Sequence, residues 1–156
     1  MRTLYLMRHA KAEVSGPAGD KSRPLSERGR RDAREAGEWL RLAGVDVALV
    51  SSATRTTETF TELGLDCRAE YMDALYNCDV ETMRQRIGEM DEEVTTVLVV
   101  GHSPTIPALA AELLSATQPR AADELLCHFP TATVTGFEFE GPWSELGEHE
   151  VRVLQR

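Results

Sequence analysis

Apolar and polar positions along the 156-residue chain fall into an alternating series of short buried-strand and amphipathic-helix patterns. Thr3 to Met7 is an apolar run that stops at Arg8 and His9, the mark of a buried strand entering a loop. Ser15 to Pro24 holds Gly16, Pro17, Gly19, Asp20 and Lys21 without any apolar period and reads as a mobile connection. Ser26 is placed as a helix N-cap. Behind it Ala33, Ala36, Leu40 and Ala43 recur at helical spacing, Arg30, Arg34, Glu38 and Arg41 line the opposite face, and Gly44 supplies a stop. Val45 to Val50 predicts a second buried strand, followed at once by Ser51 to Arg55 and a helix carrying Phe60 and Leu63. Cys67 to Tyr71 fits a short third strand, and Val80, Met83, Ile87 and Met90 form a helical stripe. Thr95 to Val100 is the strongest strand pattern. It ends in Gly101-His102-Ser103-Pro104, with Ser103 expected as N-cap and Pro104 as first residue of a helix bearing Ile106, Leu109, Leu113 and Leu114, its first turn weakened by Pro107. Thr133 to Phe139 and Val151 to Leu154 alternate in part with period two around a Gly141-Pro142 turn, which predicts a terminal pair of strands.

Strands alternating with helices argue for an α/β sandwich with a mainly parallel central sheet and helices on both faces. Such sheets bind ligands outside the carboxyl ends of their strands. The residues that follow each predicted strand are therefore the ones to read for chemistry.

Length and composition narrow the picture. A chain of this size, 42% hydrophobic and 28% charged, is expected to form a single domain spanning residues 1–156. It buries roughly two-thirds of its unfolded surface and needs no disulfide or structural metal. Acidic residues outnumber basic ones 26 to 17, and the formal charge of -9 repels nucleic acid and anionic membranes, so neither is expected as a partner. An anionic ligand must then be held by a local basic cluster. Cys67, Cys78 and Cys127 form no C-x-x-C pair and are expected to stay reduced. With no apolar run near the ~20 residues of a membrane span and no signal-like N-terminus, a cytoplasmic location is the expectation.

Arg8 with His9, Arg55, and Gly101 with His102 each follow a predicted strand, so they are expected to converge at one rim of the sheet. Two arginines and two histidines make a concentrated anion site, and a phosphoryl group with its equatorial oxygens fits it best. Neutral imidazole, with an unperturbed pKa of ~6.5, is a competent nucleophile near neutrality. His9 is assigned that role, through a transient phosphohistidine. Arg8 and Arg55 would grip the transferred oxygens, with His102 as a further donor, and the scheme needs no metal or other cofactor.

Four segments carry a family resemblance: Leu6-Met7-Arg8-His9-Ala10-Lys11, Arg23-Pro24-Leu25-Ser26-Glu27-Arg28-Gly29, Ser51-Ser52-Ala53-Thr54-Arg55-Thr56-Thr57-Glu58-Thr59 and Val100-Gly101-His102-Ser103-Pro104. In this order they resemble the histidine phosphatase superfamily over about residues 3 to 115. The resemblance implies a phosphoglycerate mutase-like three-layer α/β/α sandwich, His9 as nucleophile, and Arg8, Arg55 and His102 completing the phosphate pocket. Arg23 and Ser103 are assigned to substrate binding. Within the superfamily the short chain and its Ala10-Lys11-Ala12 and Arg23-Pro24-Leu25-Ser26 stretches look most like the SixA group of protein phosphohistidine phosphatases. The implied partner is a phosphohistidine-bearing protein, and the implied product is inorganic phosphate.

Larger members place an acid between the second and last motifs to protonate a leaving oxygen. Here that region reads Leu75-Tyr76-Asn77-Cys78-Asp79, with no obvious acid. An alkoxide leaves poorly without a proton, whereas the imidazole of a phosphohistidine can leave protonated without a strong dedicated acid, so the substrate expectation is a phosphoramidate. The alternative enzyme is a phosphomonoesterase for small metabolites using Asp79 or Glu81 as acid. A non-catalytic phospho-ligand binder is the alternative of another class. Lys11 and Tyr76 are read as rim candidates outside the catalytic set, Ser51 and Ser52 as shaping the loop before Arg55, and His128 and His149 as surface residues without metal partners.

Overall fold

Near-continuous apolar runs become the inner strands of one sheet, as burial on both faces requires. The computed structural model describes residues 1–154. In chain order they form β1 (Arg2–Arg8), α1 (Glu27–Leu40), β2 (Val47–Ser51), α2 (Thr54–Leu63), β3 (Arg68–Met72), α3 (Val80–Gly88), β4 (Thr96–Gly101), α4 (Thr105–Leu114), α5 (Pro119–Cys127), β5 (Val134–Phe139) and β6 (Val151–Leu154). The strand order is β3-β2-β4-β1-β5-β6. The first four run parallel, while β5 pairs antiparallel with both β1 and β6. Every residue of β2 is buried, whereas the edge strand β3 carries Arg68 and Glu70 and is mostly accessible, which guards an open edge.

Alternate side chains of the strands feed two cores. Leu4, Leu6, Leu49, Val97 and Val99 pack with Met83 and Ile87 of α3, Ile106 and Leu109 of α4, and Ala122 of α5. On the other face Met7, Ala48, Val50, Leu98 and Val100 meet Ala36 and Leu40 of α1 and Phe60 and Leu63 of α2. This is the expected three-layer sandwich. Because β4 lies between β2 and β1, strand order reverses there, and the carboxyl ends of these three strands border one crevice.

Ser26 caps α1 as expected, its hydroxyl accepting the Gly29 N–H at 3.1 Å. Four expectations need correction. The 15–24 connection contains a 3-10 turn at Asp20–Ser22 and is pinned to the body through Asp20, because the carboxylate and carbonyl of Asp20 bond Arg55. Ser103 does not cap α4. The helix begins at Thr105 with Pro104 at its cap, since Pro107 has no N–H for the Ser103 carbonyl and Ala108 bonds that of Pro104 instead, at 3.0 Å; the Ser103–Pro104 peptide is cis. The β5–β6 connection is a longer loop, because Trp143 turns inward, its indole N–H on the Val94 carbonyl at 2.7 Å. Finally α5 was not expected: it has Pro119 near its start but buries only Ala122 fully and lacks a side-chain cap, so its pattern is faint.

Among the described residues the three cysteines are free thiols, and no helix is long and apolar enough to cross a membrane.

Two glycines let α1 approach closely. A methyl carbon on Gly29 would sit 2.0 Å from the Lys11 carbonyl oxygen, and one on Gly37 would sit 2.1 Å from that of Leu63. In an open helix alanine is favoured over glycine by about 0.5–1 kcal/mol, but forced overlap with backbone costs about 1–3 kcal/mol or more. The overlap wins. Gly37→Ala is expected to lower the unfolding free energy by about 1–3 kcal/mol in urea denaturation; an unchanged or higher midpoint would show that α1 can lift off Leu63 without loss.

Candidate active site

The crevice gathers the residues that leave the strands. His9 follows β1, Arg55 lies in the first turn of α2 just after β2, and His102 follows β4. His9, Arg55 and His102 are 8%, 6% and 8% exposed, and the two imidazole centroids are 5.4 Å apart. Arg8, at the end of β1, is half-buried beside them and donates from Nη1 to the Phe129 carbonyl at 3.0 Å.

Backbone fixes the state of the first ring. His9 Nδ1 lies 2.7 Å from the Ala10 carbonyl oxygen, which only accepts, so Nδ1 carries the proton and Nε2 keeps its lone pair. The Ala10 N–H in turn donates to Thr59 Oγ1 at 3.0 Å, and the Thr59 hydroxyl donates to the Arg55 carbonyl at 2.6 Å. One chain of hydrogen bonds thus links the His9 loop to the helix that carries Arg55. The Glu58 carboxylate accepts the Leu25 N–H at 2.8 Å and pairs with Arg30 at 3.2 Å, which seats the Arg23-to-Ser26 segment on the same helix.

His102 Nε2 lies 2.8 Å from the Ser51 hydroxyl, within a fully buried contact. If Ser51 donates, its single proton is used and His102 Nδ1–H is left to face an anion; the reverse tautomer would turn a lone pair on it. Arg8 Nε, Arg55 Nε and His102 Nδ1 are all buried without a hydrogen bond to any described residue. Unpaired buried donors are costly, and two guanidinium nitrogens and a ring N–H are donors of the kind that an oxyanion accepts from.

Arg55 is held from outside. Its Nη1 donates to the Asp20 carbonyl at 2.9 Å and its Nη2 to Asp20 Oδ2 at 3.2 Å. The same Oδ2 accepts the Tyr76 hydroxyl at 2.6 Å, and Asp20 Oδ1 accepts Arg23 Nη1 at 3.0 Å. The Tyr76 ring stands edge-on to His102 at 5.7 Å. Hydrogen bonds from Tyr76 and Arg23 hold the Asp20 carboxyl well below the usual carboxylate range.

The structure brings Arg8, His9, Arg55 and His102 together and sets Arg23 at the edge through Asp20. Ser103 is exposed and its side chain makes no hydrogen bond to a described residue. The alternative acids are committed elsewhere. The Asp79 carboxylate caps α3 by accepting the Thr82 N–H at 2.8 Å, which lowers its pKa, and Glu81 pairs with Arg84 at 2.9 Å. Sequence reading missed Asp20, in a segment without periodicity, and the pairing of Ser51 with His102, which joins residues 51 apart. Lys11 is exposed and contributes its carbonyl to Ser26. Among the described residues no three His, Cys, Asp or Glu side chains form a metal-ligand cluster. A surface hollow of about 570 Å³ between α3 and residues 144–148 includes none of the site residues.

Comparison with known proteins places these features. The sequence profile of the histidine phosphatase superfamily (branch 1) matches residues 4–95. An uncharacterised protein of Mycobacterium tuberculosis is 40% identical over 144 residues, covering 90% of this chain and 91% of that protein. The phosphohistidine phosphatase SixA of Escherichia coli is 33% identical over 125 residues, covering 74% of this chain and 76% of that protein. A candidate phosphohistidine phosphatase SixA from Nakamurella multipartitia superposes with a TM-score of 0.90 at 35% identity, covering 99% of this chain and 94% of that chain.

Burial first, then the positive charge of Arg55, push the His102 ring down to about 3. Burial likewise pushes His9 down to about 4, against the opposing Ala10 hydrogen bond. Both rings are therefore expected to titrate well below the ordinary ~6.5 in the ligand-free protein, which ring nitrogen shifts read directly. The unfolded chain then takes up protons first, so stability is full above the unfolded value of ~6.5 and declines as pH falls toward the folded values. A ring midpoint near its ordinary value, or stability flat across that window, would contradict the buried neutral pair.

Proposed function

The chain belongs to the histidine phosphatase superfamily and is a phosphoryl hydrolase, and from that premise we propose that it hydrolyses protein phosphohistidine, without a metal ion, through a covalent phospho-His9 intermediate. The observation that carries the substrate choice is that, among the described residues, the candidate acids are not poised to give a proton. Asp79 and Glu81 are engaged away from proton donation, and Asp20 is held in its anionic form. An alkoxide leaving group has no proton to take.

A phosphohistidine avoids that need. His9 Nε2 attacks phosphorus, the bond from phosphorus to the substrate nitrogen breaks, and its electron pair stays on that nitrogen. The ring departs neutral because its other nitrogen already carries a proton. Phospho-His9, with Nδ1–H held by the Ala10 carbonyl, is chemically the same kind of species as the substrate, so the transfer is close to isoenergetic. Water then adds to phosphorus, the P–Nε2 bond breaks with its electron pair returning to Nε2, and the surplus water proton leaves with phosphate or solvent. Arg8 and Arg55 hold the transferred oxygens, His102 donates from Nδ1, and Arg23 supports the pocket through Asp20; positioning and electrostatics supply the rate. Ser103, exposed beside His102, is assigned to the approach of the substrate. The partner is a phosphohistidine-bearing protein, and the setting is cytoplasmic, where the thiols stay reduced.

Phosphate release in the presence of a chelator tests this, using a phosphohistidine-bearing protein and a simple phosphomonoester. The wild type is expected to favour the former, His9→Ala to lose at least about a thousandfold in kcat, and acid-labile phosphate to appear on the wild type alone. Preference for the monoester would identify a metabolite phosphatase, loss of activity in chelator would refute metal independence, and stoichiometric retention without release would identify a binder.

A further inference from the structure

The Asp20 carboxylate is an odd neighbour for an anion site. It sits on the outer end of the Arg55 fork, yet its side chain is 52% exposed, so it faces both the pocket and the solvent from which substrate arrives. The charged and titratable groups around it are Arg23 from its own loop, Arg55 from α2, the Tyr76 hydroxyl, and beyond them the Lys21–Asp73 pair and His102.

We propose that Asp20 is a specificity-determining residue that accepts the free ring N–H of the substrate phosphohistidine and thereby selects a cationic leaving group over a phosphomonoester.

Three features support the assignment, which rests on the phosphohistidine reading above. First, Asp20 does not take every Arg55 donor: it engages Nη1 and Nη2 and leaves the buried Nε without a hydrogen bond to a described residue. Second, it retains acceptor capacity. Oδ2 accepts from Tyr76 and Arg55, while Oδ1 accepts only from Arg23, and each carboxylate oxygen has room for about two donors. Third, its charge selects. A fixed carboxylate beside a bound phosphoryl dianion is repulsive unless the substrate itself brings a positive group between them. Phosphohistidine protonated on its distal nitrogen does so, and a phosphomonoester does not.

In-line displacement directs the departing ring away from His9, and Asp20 and Tyr76 stand on the solvent-facing side of the site. There the carboxylate favours the protonated ring, the form from which neutral imidazole departs when the P–N electron pair collapses onto the nitrogen. Asp20 donates no proton and forms no bond to phosphorus. It keeps the reactive protonation state populated as pH rises.

The test compares wild type, Asp20→Asn and Asp20→Glu on a phosphohistidine-bearing protein and on p-nitrophenyl phosphate across neutral to alkaline pH, with tungstate affinity measured alongside. Asp20→Asn is expected to lower the ratio of kcat/KM values, phosphohistidine over monoester, by at least about tenfold. It should also move the alkaline limb for phosphohistidine to lower pH, with tungstate binding no weaker. Asp20→Glu should recover part of the ratio. Equal loss on both substrates with weakened tungstate binding would make Asp20 merely a brace for Arg55, and equal gain with tighter tungstate would make it a plug; either overturns the inference. A wild type without preference for phosphohistidine refutes the substrate reading, whereas a preference that Asp20→Asn leaves intact refutes this inference alone.

Discussion

Cationic and polar nitrogen must be held at the sheet rim with donors left for a ligand, and the fold does so with backbone carbonyls and with the Asp20 carboxylate, which pairs with Arg55 and Arg23. Arg8 is anchored on Phe129, Arg55 on Asp20, Arg23 on Glu13 and His9 on Ala10, in each case through a carbonyl oxygen. A carbonyl orients a guanidinium or an imidazole while leaving its charge or lone pair for a ligand. A ring of carboxylates would hold the arginines more strongly and compete with phosphate for them. Desolvation then keeps both imidazoles neutral, which preserves the His9 lone pair.

Such anchoring demands that the loops supplying the carbonyls be rigid, and much of the sequence around the site serves that end. The His9 N–H bonds the Gly101 carbonyl at 2.9 Å, while the Ala132 N–H is shared between the carbonyls of Arg8 and His9 at 3.1 Å each. Thr59 couples the β1 loop to α2, and Glu58 seats Leu25. Gly29 and Gly37 let α1 close against Lys11 and Leu63 without a Cβ between them. Several residues that look like signature chemistry in the sequence are therefore scaffold: they fix where carbonyls and rings point, and they would not touch a substrate.

Legibility in the sequence followed the range of the interaction. The inner strands were readable because burial on both faces leaves only apolar residues there, and α1 because a capped amphipathic stripe is a local signal. Arg8, His9, Arg55 and His102 were readable because the carboxyl-end rule turns strand order into proximity. What stayed hidden depends on contacts between distant segments. Asp20 gains its meaning from Arg55 and Tyr76, 35 and 56 residues away, and Ser51 from His102, 51 away. The start of α4 was misplaced by one residue of cap because Pro107 acts on a carbonyl four positions back, and α5 went unseen because a helix that buries little has a weak period.

Electrostatics operate at two ranges on the proposed substrate. Within about a Debye length of the surface, ~8–10 Å, an approaching molecule meets the summed field of a chain carrying -9, and salt screens that field further out. That field disfavours a small, highly charged anion and favours a phosphoryl group borne on a neutral or basic protein surface. Within contact distance the sign reverses at the guanidinium groups of Arg8 and Arg55, whose Nε atoms carry no hydrogen bond to a described residue. On the proposed function, the long-range charge and the rim carboxylate of Asp20 act in the same direction, toward a phosphorylated side chain whose own ring is positive.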